Sequence, residues 1–122
     1  MKKTKISKPP EMRVPLFNCA RIVFFTDKEI ARKYIKKLSG KVFDFEGYDG
    51  FEWMYQTSKR TFIIIAVFNN SAACLAHEAA HATFEICNIV QEPVKVESTN
   101  ETFCYLIQRI MERFLPYLSS ER

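Results

Sequence analysis

The only two histidines of the chain lie in one five-residue window, His77-Glu78-Ala79-Ala80-His81. On a helix, residues four apart share a face, so the two imidazoles can direct nitrogen atoms toward one point. Two neutral nitrogen donors suit a zinc ion, and the neighbouring Glu78 carboxylate can act as general base toward a water on the same metal. The window therefore predicts a metal site with Glu78 as its catalytic carboxylate.

A third metal ligand must come from outside this window, because catalytic zinc usually has three protein ligands. Glu85 continues the series on the same helix, but it lies about 12 Å along the helix axis from the first histidine, which is too far. Cys87 stands where some longer motifs of this type have a ligand, but those motifs need a glycine that turns the chain back, and Phe84 occupies that position. Glu101 is the remaining candidate and the favoured one.

Glu101 opens the last predicted helix, twenty residues after His81. A fold-back between the two helices can therefore bring its carboxylate across from the histidines. Ser98-x-x-Glu101 also matches a capping box, in which the glutamate serves only the N-terminus of its own helix. Both interpretations stay open, and the upstream histidine pair favours the metal ligand.

The elements that must position these residues follow an α+β pattern. The 61–68 segment is apolar on both faces, which favours a central strand. The order β-α-β-β-α-α predicts a small single domain, in which a short antiparallel sheet packs on the motif helix and on the C-terminal helix that carries the third ligand. The predicted elements are a strand within 14–26, a helix from Thr26 or Asp27 to Gly40, strands at 51–56 and 61–68, a helix over about 71–89, and a helix from 98–100 to Pro116.

Charge and composition narrow the choice of partner and compartment. The formal net charge of +4 arises within residues 1–13, and the other 109 residues balance at 13 basic and 13 acidic. A flexible, solvated basic tail over 1–13 is favoured, and no nucleic-acid partner is expected. The longest apolar run, 62–68, is too short to cross a bilayer, and the four cysteines are widely spaced. We therefore expect a cytoplasmic protein with reduced cysteines and no membrane partner.

The motif and its surroundings resemble two groups of known proteins. His77 to His81, followed after nineteen residues by Glu101, resembles the gluzincin zinc metallopeptidases, with the spacing of the thermolysin-like branch. The wider layout resembles small HExxH proteins encoded by phages and prophages. That layout comprises Val14-Pro15-Leu16, Leu75-Ala76-His77-Glu78, and Asn100-Glu101 with Tyr105-Leu106.

The resemblance implies a zincin-like metallopeptidase domain over 14–122. It implies one zinc ion per chain, bound by His77, His81 and Glu101, with Glu78 activating a water for attack on a peptide carbonyl. It also implies that the edge of the apolar strand before the motif helix aligns an extended peptide or protein substrate.

Two departures from the thermolysin-like pattern affect the expected activity. Tyr105 stands where those enzymes have an aspartate that braces the first histidine, and no third histidine is present to stabilise an oxyanion. Tyr105 and Arg109 are the candidate oxyanion donors, and bracing of the helices is the other interpretation of both. The sequence thus predicts a zinc-dependent metallopeptidase-like protein. The alternative is a weakly active or inactive zinc-bound phage or prophage protein that acts by binding a host partner.

Overall fold

The computed structural model describes residues 8–95 and 100–118, and this part of the chain forms four strands and three α-helices. The order is β-β-α-β-β-α-α, which confirms the α+β class and adds one strand to the expected order. The elements are β1 (Glu11–Arg13), β2 (Arg21–Phe25), α1 (Lys28–Ser39), β3 (Gly50–Gln56), β4 (Thr61–Val67), α2 (Ala72–Val90), α3 (Glu101–Phe114) and a terminal 3₁₀ turn (Leu115–Tyr117).

The sheet is mixed, whereas the sequence predicted an antiparallel one. Its strand order is β1-β2-β4-β3; β2 and β4 are parallel, and the two outer pairs are antiparallel. From β2 the chain passes through α1 to β3 at the far edge, and a hairpin then returns β4 between them, parallel to β2. The added strand β1 comprises residues 11–13, so the prediction that these residues belong to a flexible basic tail is wrong. Residues 1–7 of that tail lie outside the described part.

The central strands separate two apolar clusters. Ile22, Phe24, Ile63 and Ile65 face α2 and α3, whereas Val23, Phe25, Ile64 and Ala66 face α1. β4 is therefore buried on both faces, which confirms its predicted central position. Its central position also contradicts the expected peptide-aligning edge, because β2 and β3 occupy both edges of β4. Beside the motif helix, the edge left unpaired by the described residues belongs to β3.

The helix ends follow local sequence chemistry. The Asp27 side chain accepts a hydrogen bond from the Ile30 amide at 2.9 Å, and Gly40 ends α1 in the left-handed conformation with φ 82°. The Ser71 side chain is the N-cap of α2 and accepts a hydrogen bond from the Cys74 amide at 3.1 Å. These are the boundaries expected from N-cap and C-cap preferences.

Helix α3 docks through its apolar stripe. Leu106, Ile110 and Phe114 are fully buried, and the Phe114 ring stacks on Phe24 of β2 with centroids 4.8 Å apart. The described helices include none with the length and apolarity that crossing a membrane requires. All four cysteines are free.

Candidate metal centre

The two histidines of α2 converge on one point. Their side chains lie on the exposed face of the helix, and their Nε2 atoms are 3.3 Å apart. Two nitrogen ligands at the usual zinc distance of about 2.05 Å, separated by the tetrahedral angle, also lie about 3.3 Å apart. The spacing of His77 and His81 therefore matches that of two ligands on a single tetrahedral ion.

Glu78 completes a group of three side chains. One ligand atom each from His77, Glu78 and His81 lies within 4.8 Å of the others, so this group could hold a metal ion. Glu78 is only 8% exposed, and burial raises the pKa of its carboxyl, while His77 and His81 oppose the rise. A buried carboxylate needs a compensating positive charge, which a divalent ion would provide.

Close packing of α2 on β3 sets the position of Glu78. A Cβ added at Gly50 would lie 2.8 Å from Glu78 Oε2 and 2.5 Å from the Cys74 sulfur. Gly50 faces Val67 in the strand register, on the side of the sheet that α2 covers. A larger residue here would have to displace the Cys74 and Glu78 side chains, so glycine allows the close approach of the helix to the strand.

The structure adds Glu52, which no motif in the sequence indicates as a site residue. Glu52 shares one face of β3 with Gly50 and Met54 and therefore points toward α2. Its Oε2 atom is buried there and has no hydrogen-bond partner among the described residues. Burial, then a hydrogen bond with Glu85, then the charges of Glu85 and Glu78 raise the pKa of Glu52 to about 9. Two carboxyl groups can share a hydrogen bond only when one carries a proton. The period-two alternation of β3 was the signal that could have identified this carboxyl.

Glu101, the predicted third ligand, lies outside the group of His77, Glu78 and His81. It is an exposed residue at the start of α3. Two residues further along α3, the Phe103 ring contacts Phe84 of α2, with the ring centroids 4.8 Å apart. Its role as a ligand remains a prediction.

The start of α3 bears on the capping-box interpretation of Glu101. Asn100 is the N-cap, and it makes no side-chain capping bond; its side chain instead pairs with the backbone of Lys95. Glu101 is consequently the first helical residue, whereas the glutamate of a capping box is the third. Ser98, the partner expected in that box, lies outside the described residues.

The rejected ligands and the candidate oxyanion donors lie elsewhere. Cys87 is 2% exposed within the apolar core, and Glu85 lies close enough to Glu52 to help raise the pKa of the Glu52 carboxyl. Tyr105 and Arg109 hydrogen-bond to each other, with 2.7 Å between the guanidinium nitrogen and the phenol oxygen, and both line a cleft beside Met12. These contacts place the pair next to β1, and its role as an oxyanion donor remains a prediction.

Comparison of the chain with protein-family models, with curated proteins and with solved structures finds no match. Any functional interpretation therefore depends on the side chains of α2 and their surroundings.

Proposed function

We propose that the protein is a zinc-dependent metallopeptidase-like hydrolase of the HExxH type. The observation that carries the proposal is the 3.3 Å separation of the His77 and His81 Nε2 atoms, with the Glu78 carboxylate within 4.8 Å. The two imidazoles are exposed and close enough to share a hydrogen bond, and a divalent ion between them would also compensate the buried Glu78 carboxylate. The two imidazole nitrogens are also ligands that zinc commonly takes in proteins.

Each residue of the group has a separate task in the proposed reaction. A zinc ion held there would polarise the scissile carbonyl and acidify the attacking water. His77 and His81 would bind through Nε2, in the neutral form that leaves the lone pair free. Glu78 would accept the proton of the attacking water and deliver it to the departing amine, which are the two halves of general acid–base catalysis.

We propose Glu101 as the third ligand of the ion. Phe84 follows His81 by one turn of α2, and its ring meets Phe103, which is two residues from Glu101. The first turn of α3 thus lies beside the face of α2 that presents the histidines. A rotamer change in this exposed side chain, together with movement of the first turn, is the adjustment that zinc binding would need.

Zinc content tests the ligand set. We expect one zinc per chain in the purified protein and much less in the Glu101→Ala variant. Glu112→Ala on the same helix is the matched control and should keep the parent's zinc. Equal zinc in all three proteins would remove Glu101 from the site.

Turnover is tested separately from metal binding. Glu78→Gln should keep its zinc and lose hydrolysis of denatured casein, because Gln cannot accept the proton. Glu85→Gln, seven residues away on the same helix, should keep both properties. Undiminished hydrolysis by Glu78→Gln would contradict the mechanism.

An extended peptide substrate would pair with β3, since β4 has no free edge. The backbone groups of β3 can add a strand by β-augmentation next to the histidine face of α2. We further propose a cytoplasmic location, because all four cysteines are free.

A non-catalytic role is the second candidate. The observation that favours it is that the candidate oxyanion donors Tyr105 and Arg109 bond to each other and line a cleft beside β1. In this role the zinc-bound surface would bind a host protein without turnover. Partner binding that survives Glu78→Gln, in a protein without hydrolytic activity, would distinguish it from the hydrolase.

A further inference from the structure

A second polar cleft lies at the opposite end of the sheet from the metal centre. It has a volume of about 360 Å³ and is bordered by the start of β2, the start of β4 and the β3–β4 turn. Gly50 contacts the metal-site helix at one end of β3, and Gln56 lines this cleft at the other, about 20 Å away. The two sites are therefore separate.

Four cationic side chains line this cleft: Arg13, Arg21, Lys59 and Arg60. Glu11 pairs with Arg21 at 3.5 Å. The ion pairs formed within 8–95 and 100–118 leave the other three cations without a carboxylate partner. Arg21, Lys59 and Arg60 lie in the part of the chain beyond residue 13, which is neutral on balance, so their grouping with Arg13 is a local excess of positive charge.

Strand pairing brings two of these positive charges close together. Arg13 of β1 stands directly opposite Arg21 of β2 in the register. Like charges in opposed positions destabilise an antiparallel pair. An anion bound between the guanidinium groups would convert this repulsion into attraction.

The turn that carries the other two cations is ordered before any ligand arrives. The Thr57 hydroxyl accepts hydrogen bonds from the Lys59 and Arg60 amides at 3.2 and 3.0 Å, and the Thr57 amide donates to the Arg60 carbonyl at 2.8 Å. The Arg60 guanidinium also lies 5.8 Å from the centre of the Phe62 ring. A cationic site that is already ordered loses less entropy on binding.

We propose that this cleft binds the phosphate group of a nucleotide-sized ligand. Guanidinium groups match phosphate oxygens in bidentate pairs, and a phosphate dianion would offset two of the three unpaired positive charges. A neighbouring cleft of about 390 Å³ shares the turn and is lined by Leu38 and Tyr55, which offers an apolar and aromatic surface for the remainder of the ligand. The cleft volume is within the range of small-molecule sites.

Calorimetric titration of the full chain with 5′-AMP tests this proposal. AMP should bind, adenosine should not, and inorganic phosphate should compete with AMP. Arg60→Gln should weaken AMP binding about tenfold through the loss of one charge-assisted pair. Lys33→Gln, which removes the same charge from an exposed position on α1, should leave the affinity unchanged.

Two further measurements complete the test. Arg60 is exposed in a turn, so the variant should fold, and an unchanged circular dichroism spectrum will check this. Lys59→Gln provides a second variant at an equally exposed position. An oligothymidylate that binds far more tightly than AMP, with steep salt dependence and the same loss in Arg60→Gln, would assign the phosphate to a nucleic-acid backbone. Absence of AMP and oligothymidylate binding, or equal affinity in parent and Arg60→Gln, would overturn the proposal.

Discussion

Replacing Glu52 with Gln should stabilise the protein and remove a pH dependence of its stability. The Glu52 carboxyl has an ordinary pKa of 4.5, which the folded protein raises to about 9, mainly through burial. Between these values the folded state holds a proton that the unfolded chain has released. The free energy of unfolding must therefore fall as pH rises from about 4.5 to about 9.

The size of this effect follows from the same pKa. Each pH unit within the window changes the free energy of unfolding by about 1.36 kcal/mol, which gives an upper bound of about 3 kcal/mol at pH 7. Glu52 is only partly buried, and solvent screening reduces the figure to about 1–2 kcal/mol. Gln is uncharged, and its amide can donate to the Glu85 carboxylate. The Glu52→Gln variant should exceed the parent by this amount at pH 7 and by nothing at pH 4.5.

Urea denaturation between pH 4.5 and pH 9 measures both the stability difference between the two proteins and its dependence on pH. The buffers should contain EDTA, so that no bound metal changes the charge near Glu78. Glu46→Gln, in an exposed loop, is the control for removing any one carboxylate and should follow the parent. Parallel pH profiles for the parent and Glu52→Gln, or a less stable Glu52→Gln at pH 8, would refute the reasoning.

Three other perturbations have defined outcomes. Zinc should raise the Tm of the parent in scanning fluorimetry, because a ligand that binds only the native state stabilises it. The Tm of His77→Ala should not rise. A rise that persists in this variant would mean that zinc binds elsewhere. Gly50→Ala should lower the urea-derived stability by about 1–3 kcal/mol and weaken zinc binding, because its Cβ displaces Glu78; parent-like values would contradict the close packing. Phe114→Ala should cost about 3–5 kcal/mol in the same assay through loss of the stack on Phe24, and a cost below 1 kcal/mol would contradict its burial.

Features that depend on neighbouring residues were predictable from the sequence. The Asp27 cap, the Gly40 end of α1 and the Ser71 cap of α2 all depend on contacts within one helical turn. The central position of β4 followed from its apolar residues on both faces. The start of α1 is an exception, because the apolar Ile30 is 56% exposed whereas Ala31, next to it, is buried.

Features that depend on strand pairing were not predictable in this way. Residues 11–13 have no strong strand pattern, and they form β1 because β2 offers an open edge. The mixed sheet likewise depends on where the hairpin returns, which no local pattern specifies. The position of Tyr105 and Arg109 beside β1 depends on how α3 is rotated about its axis when its apolar stripe docks.

In the His77–His81 segment, too, some features depend on local sequence and others on tertiary packing. The sequence by itself determined that His77 and His81 share a helical face, because a spacing of four residues is close to the 3.6-residue turn of an alanine-rich helix. Only the tertiary structure decided what surrounds that face: Gly50 and Glu52 lie beneath it, and Glu78 is buried against them. The reason is that the helical period is a property of the local backbone, whereas these neighbours come from a strand more than twenty residues away and depend on how the whole sheet packs.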